Sequence, residues 1–273
     1  MGPPVSLKLD AGSEQEGLDA AQAAFAELRR VEAHLTRFDA ASDLSALNAV
    51  AGRSPLRVGD DLRTVLRFAD GIRRATGGAF DPAVEPVMRA WGFHAARNGA
   101  PDREELEAAR DAVREARLRW DGDRVSLDGR GAALDLGGIG VGYGLDRAGA
   151  VLRARGISAA LLDVSGDLLA IGAPPGQRGW EVGIAVPSAA TPPAIRTVRL
   201  ADAALATSAN TMSVVRWNGR AFGHVMDPHT ARPSHHVRQA TVIAPSGMHA
   251  DAWSTACLVA PVVLPAGCDA VIV

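Results

Sequence analysis

Ala133-Leu-Asp-Leu-Gly-Gly-Ile-Gly-Val-Gly-Tyr-Gly-Leu-Asp-Arg147, followed by Leu161-Leu-Asp-Val-Ser-Gly-Asp167, is the stretch whose reading decides the fold. The apolar run Ala132 to Leu136 predicts a short strand, Gly137 and Gly138 a turn, and Val141 to Arg155 a helix stopped by Gly156. Ile157 to Val164 then predicts a buried strand. A strand, a glycine turn and a helix in that order aim backbone N–H groups and a positive helix end at one spot, which suits a phosphate. Glycines also let one backbone approach another closely. The five glycines within residues 137–144 therefore either cradle an anion or pack the helix against its neighbours. Neither a G-x-x-x-x-G-K-[ST] loop nor a G-x-G-x-x-G fingerprint is present.

Working outward, strand and helix patterns interleave, with several hairpin signals. Val5 to Leu9 predicts a strand, and Ser13-x-x-Glu16 opens a long amphipathic helix ending near Leu35. Asp60 to Ala75 predicts a second helix, stopped by Thr76-Gly77-Gly78, and Asp102-x-x-Glu105 caps another. Asp121-Gly122-Asp123 and Asn218-Gly219 mark hairpin turns. Gln239 to Ala244 reads as a strand and Ala250 to Val259 as a helix. The expected class is α+β, with mixed, largely antiparallel sheets and packed helices, as one large domain over residues 1–273 or two intimate lobes.

A hydrophobic share of 47% is enough for a large core, and a formal charge of −2 argues against nucleic acid as a partner recognised by bulk charge. Lys8 is the only lysine among 29 basic residues. Cys257 and Cys268 make no disulfide framework or metal-ligand pair, and Cys257, in an apolar helical run, reads as a buried thiol. No window reaches the ~18 apolar residues of a membrane-spanning helix. Met-Gly-Pro-Pro-Val-Ser has no charged region, apolar core, cleavage site or lipobox, so the chain as given is expected to be soluble, cytoplasmic or periplasmic.

Four polar clusters can carry chemistry beside the glycine stretch. Thr76 to Pro82 is either a helix stop with Asp81 as a cap or part of a site. Gly223 to Pro228 is a turn capped by Asp227, or it presents His224 to a ligand. Asp251 and Thr255, four apart, share one helix face. A carboxylate and a hydroxyl so placed suit a hard cation, or else Asp251 caps the helix and Thr255 bonds back within it. Arg37-Phe38-Asp39 to Asn48 is unreadable from spacing alone.

Together these segments resemble, in order over nearly the whole chain, the ApbE-like FAD:protein FMN transferases. Met1-Gly2, Phe38 with Ser45-x-Leu47-Asn48, Gly78-Ala79-Phe80-Asp81 with Trp91-Gly92-Phe93, and Asp135-Leu136-Gly137-Gly138 resemble motifs of that family. So do Thr207-Ser208, His224-Val225-Met226-Asp227-Pro228 and Ala250-Asp251-x-x-x-Thr255. The resemblance implies an ApbE, T-fold-like architecture. It implies Mg²⁺ held by Asp251, Thr255 and the backbone carbonyl of Gly138. FAD, as substrate, would be lined by Met1, Phe38, Ala79, Phe80, Asp81, Asp135, Val141 and Val225.

The implied reaction is attack by a Thr or Ser hydroxyl of an acceptor protein on the FAD pyrophosphate, linking FMN to that protein and releasing AMP. His224 and Asp251 are the candidate bases. The chain departs from the family at Val141, where Lys or another polar residue is usual, at Ser165 of Ser165-Gly166-Asp167, and at Ala209 after Thr207-Ser208. These departures leave two alternatives: a pyrophosphatase giving FMN and AMP, and a protein that binds or carries FAD.

Overall fold

A computed structural model describes residues 5–94, 97–187, 194–211 and 213–273. Its centre is an antiparallel sheet with the spatial order Val5–Asp10, Ala159–Val164, Asp167–Ile171, Ala203–Ala209, Gln239–Ala244, Asp269–Ile272. The helices are α1 (Glu14–Leu35), α2 (Asp43–Ala49), α3 (Asp60–Ala75), α4 (Glu85–Ala90), α5 (Arg103–Glu115), α6 (Gly140–Ala154) and α7 (Gly247–Val259). The α+β class with antiparallel sheets is as expected.

Side chains on the central strands sort by the two-residue period. Ala160, Leu162, Leu169, Ala204, Ala206, Ala240 and Val242 face the main core, which the helices cover. Leu161, Leu168, Ala170, Leu205 and Ile243 face the other way, onto Val182, Ile184 and Leu200 of the hairpin Trp180–Val186 and Ala194–Leu200. The inner strands of the sheet are covered on both faces and read as nearly continuous apolar runs, whereas the edge strands Val5–Asp10 and Asp269–Ile272 are largely exposed. A third cluster joins Val87 and Trp91 of the α4 region to Val113 of α5 and to Met226 and Ala231, with Trp91 Nε1 donating to the Ala231 carbonyl at 2.9 Å.

Helix starts follow the sequence. Ser13 caps α1 by accepting from the Glu16 N–H, and Asp102 with Glu105 completes both halves of a capping box on α5. Asn218 and Gly219 both take positive φ, 50° and 76°, in the turn joining Val214–Trp217 to Arg220–Gly223. Helix α7 is apolar nearly all round and lies in the core, packed on strands Ala203–Ala209 and Gln239–Ala244 and on α6.

One expectation fails: residues 132–136 form no strand. The polar backbone groups of the segment find other partners. The Asn48 side chain donates to the Leu134 carbonyl at 2.9 Å and accepts from the Leu134 N–H at 2.8 Å. The Asp135 N–H donates to the Pro82 carbonyl at 2.8 Å. A side-chain amide imitates a neighbouring strand here, a pairing that periodicity does not reveal.

The glycine stretch divides its labour. Gly137, Gly140 and Gly144 border a cavity, whereas Gly142 serves packing alone, and Gly144 does both. Gly142 meets Gly247 of α7 backbone to backbone, and Gly144 admits Leu28 of α1. Asp146 of α6 accepts from the N–H groups of Gly247 at 2.6 Å and Met248 at 3.0 Å, capping the first turn of α7.

Candidate functional site

Two adjoining cavities open beside the start of α6, of about 750 and about 270 Å³. Met88, Asp135, Gly137, Val141, Val164 and His224 line both. The smaller one gathers Ala79, Phe80, Asp81, Gly138, Ser208, Val225, Asp251 and Thr255, so residues from five separate motifs meet on one volume. Phe38 borders only the larger cavity and is 80% exposed, at its mouth. The Arg37 guanidinium lies over its ring at 4.8 Å. Met1 lies outside the described residues.

Ser246, not Asp251, caps α7, accepting from the His249 N–H. Asp251 lies a turn inside the helix, 5% exposed, and accepts from the Gly142 N–H at 3.0 Å. Nor does Thr255 bond back to its own helix: its hydroxyl meets Ser208 Oγ at 3.2 Å. Ser208 also bonds Ser254 Oγ at 2.8 Å. Neither the capping nor the back-bonding explanation of this carboxylate–hydroxyl pair therefore holds, and both groups line the smaller cavity.

The Thr76–Pro82 segment does act as the helix stop with an Asp cap. Gly77 and Gly78 take φ of 61° and 90°, and Asp81 accepts from the Ala83 N–H at 2.9 Å. Arg73 donates to the other Asp81 oxygen at 2.7 Å. Burial nevertheless pushes the Asp81 carboxyl above its ordinary range, against the charge of Arg73. Likewise Asp227 caps its turn, accepting from the His229 N–H and the Thr230 hydroxyl, both at 2.9 Å. His224 is held separately: its backbone N–H donates to the Ser213 carbonyl at 3.1 Å, and its buried Nδ1 has no partner among the described residues. Burial lowers its pKa, leaving a neutral imidazole beside the cavity.

Asp135 accepts from the Gly137 N–H at 2.7 Å. Its second oxygen lies 3.6 Å from Arg37 Nε and 3.4 Å from His94 Nε2. Arg37 also donates to Glu85 at 3.2 Å. Burial opposes ionisation of Glu85, but His94, Arg89 and Arg37 outweigh it and hold the carboxyl below its usual range. The sequence motifs did not include Arg37, Glu85 or His94 as site residues, because 48 positions separate Arg37 from Glu85.

Asp167 is also missing from the sequence-derived site. It follows a turn in which Ser165 and Gly166 both take positive φ, 56° and 96°. It faces the smaller cavity and accepts from the Thr207 N–H at 3.1 Å. Burial pushes Asp167 up to about 7, and burial followed by the charge of Asp167 pushes Asp251 well above the carboxylate range. Two carboxylates that resist being charged together, next to a hydroxyl, make a donor set for a hard divalent cation. A Cβ on Gly138 would stand 2.8 Å from the Thr255 hydroxyl and 3.5 Å from Phe80, so glycine keeps that corner open. No cluster of three or more His, Cys, Asp or Glu side chains suited to a metal occurs among the described residues. A cation here would complete its shell with hydroxyl, carbonyl and ligand oxygens, and the residues present fit Mg²⁺ on those terms.

No helix among the described residues is long and apolar enough to cross a membrane. Cys257 is buried, as expected, with its thiol pushed up to about 11 by burial.

Compared with known proteins, residues 1–264 match the ApbE family. A Treponema pallidum FAD:protein FMN transferase is 32% identical over 80% of this chain, which spans 65% of that protein's length. A Klebsiella pneumoniae FAD:protein FMN transferase is 28% identical over 93% of this chain and 78% of its own length. The crystal structure of the Pseudomonas stutzeri flavinyl transferase ApbE in its apo form superposes with a TM-score of 0.81 at 28% identity, covering 93% of this chain and 80% of that one.

Proposed function

The chain belongs to the ApbE family, and from that premise we propose that it transfers FMN from FAD to a Thr or Ser hydroxyl of an acceptor protein, releasing AMP. The observation that carries this reading is the convergence of Phe80, Asp81, Asp135, Gly138, Asp251 and Thr255 on one cavity next to a helix start. Residues 1–273 act in this reading as a single transferase unit.

Asp251, Thr255 and the Gly138 carbonyl would hold Mg²⁺, which supplies neutralisation of charge on the pyrophosphate. FAD lies across the two cavities, lined by Phe38 at the mouth, Ala79, Phe80 and Asp81 on one wall, and Asp135, Val141 and Val225 on the others. The larger, mostly apolar cavity takes a ring system, and the smaller one takes the phosphates beside the start of α6. His224 accepts the proton of the acceptor hydroxyl as its oxygen bonds to the FMN phosphorus. The bond from that phosphorus to the bridging oxygen breaks, and AMP carries the oxygen away.

The test mixes the chain with FAD, Mg²⁺ and an acceptor protein bearing a Thr or Ser flavinylation site, then reads flavin fluorescence after denaturing electrophoresis and AMP by chromatography. Labelled acceptor with equal AMP supports transfer. AMP with FMN but no label makes the protein a pyrophosphatase, and bound FAD with neither product makes it a carrier.

A further inference from the structure

Four carboxylates line the smaller cavity: Asp81, Asp135, Asp167 and Asp251. No arginine or lysine lines it among the described residues. Two of the four have cationic company from behind, Asp81 from Arg73 at 2.7 Å and Asp135 from Arg37 at 3.6 Å. Asp167 and Asp251 have none: no ion pair reaches either among the described residues. Each has one oxygen occupied by a backbone N–H, from Thr207 at 3.1 Å and from Gly142 at 3.0 Å. No donor among the described residues meets the other oxygen of either.

We infer that Asp167 is a second charged group of the cation site, so that the ion is held between Asp167 and Asp251. This rests on the metal reading under Proposed function and adds a residue to it. A buried carboxylate beside a half-buried one, with no countercharge, is unfavourable, and a divalent ion between the two removes both repulsion and desolvation cost. The backbone places Asp167 accordingly. The Ser165-Gly166 turn reverses the chain, so the first residue of strand Asp167–Ile171 lines the cavity that Asp251 and Thr255 of α7 also line.

The test uses the full chain without FAD, titrated with Mg²⁺ and followed by calorimetry and by thermal denaturation. Wild type, Asp167→Asn and Asp251→Asn are compared. The amide of Asn keeps the oxygen that accepts from Thr207, so only the charge is lost. Asp167→Asn should bind Mg²⁺ at least tenfold more weakly, keep a metal-free Tm at or above wild type, and gain less Tm from the ion. If Asp167→Asn binds Mg²⁺ as tightly as wild type while its metal-free Tm drops, Asp167 merely anchors Thr207 and the inference is overturned. Should Asp251→Asn lose Mg²⁺ while Asp167→Asn retains it, this inference alone fails and the metal reading stands. If wild type takes up no Mg²⁺, both fail together.

Discussion

Gly142 and Gly247 touch backbone to backbone: a methyl group on either would lie well inside van der Waals contact of the other's carbonyl oxygen. That contact presses the first turn of α6 against the first turn of α7. It brings the Gly142 N–H within 3.0 Å of Asp251, and the Asp146 carboxylate onto the start of α7. Gly142→Ala should separate the two turns, costing about 1–3 kcal/mol as an overpacked core position. The same shift withdraws the donor from Asp251, so Mg²⁺ affinity should fall along with the denaturation midpoint. Unchanged Mg²⁺ affinity in a destabilised variant would show that the crossing sets stability but not the site.

Asn48 acts at a distance through the backbone. Its amide makes both hydrogen bonds to Leu134, one residue before Asp135. Asn48→Leu keeps the volume and leaves a donor and an acceptor unpaired, at about 1–3 kcal/mol each when buried. The expected outcome is weaker FAD binding by fluorescence titration as Asp135 loses its fixed position. FAD binding equal to the parent's would confine Asn48 to a structural role.

Ser165 holds φ of 56°, a left-handed conformation that costs a side chain about 1–2 kcal/mol and glycine almost nothing. Ser165→Gly should therefore raise stability by about 0.5–1 kcal/mol, after the extra unfolded-state freedom of glycine is subtracted. The urea midpoint reads this directly, and a fall would mean that the Ser165 hydroxyl has a partner worth more than the strain.

His224 should be neutral, and able to take a proton, throughout the physiological range. Burial lowers its pKa, so activity should stay level from pH 8 downward and decline only below the usual imidazole value of about 6.5. His224→Ala should cut turnover by about 10²–10⁴-fold and abolish that acid limb. Persistence of the limb in His224→Ala assigns it to another group.

How much of this was legible in the sequence follows from the range of the interactions. Caps and hairpin turns are local: Ser13 to Glu16, Asp102 to Glu105 and Asn218-Gly219 each act within four residues, and each forms as read. Motif residues on opposite elements, such as Phe80 and Thr255, meet because resemblance, not periodicity, linked them. Partnerships between unlike segments stayed hidden. Arg37 with Glu85, and Asn48 with Leu134, leave no periodic trace, and the second of these occupies backbone groups of a segment expected as a strand. Asp167 reads only as a neighbour of a substituted Ser165, although it lines the same cavity as Asp251. From spacing, Asp251 reads first as a helix cap, the place that Ser246 takes in the fold.

Val141 is the departure that most directly alters the cofactor site. It is the second residue of α6, its side chain lines both cavities, and it stands where the positive end of the helix meets them. With valine there, the shared wall carries Asp135 and His224 but, among the described residues, no arginine or lysine. A lysine at this position reaches toward the acidic lining and toward a pyrophosphate bound between the cavities. Val141→Lys should tighten FAD by about 1 kcal/mol, close to fivefold, as one charge-assisted contact in a partly solvated site. The gain should shrink at high salt, since the added ammonium sits near solvent. Fluorescence titration at two salt concentrations measures both effects on one variant. An unchanged affinity places the pyrophosphate away from the first turn of α6, and a loss with a lower Tm shows that the apolar wall is required for the fold.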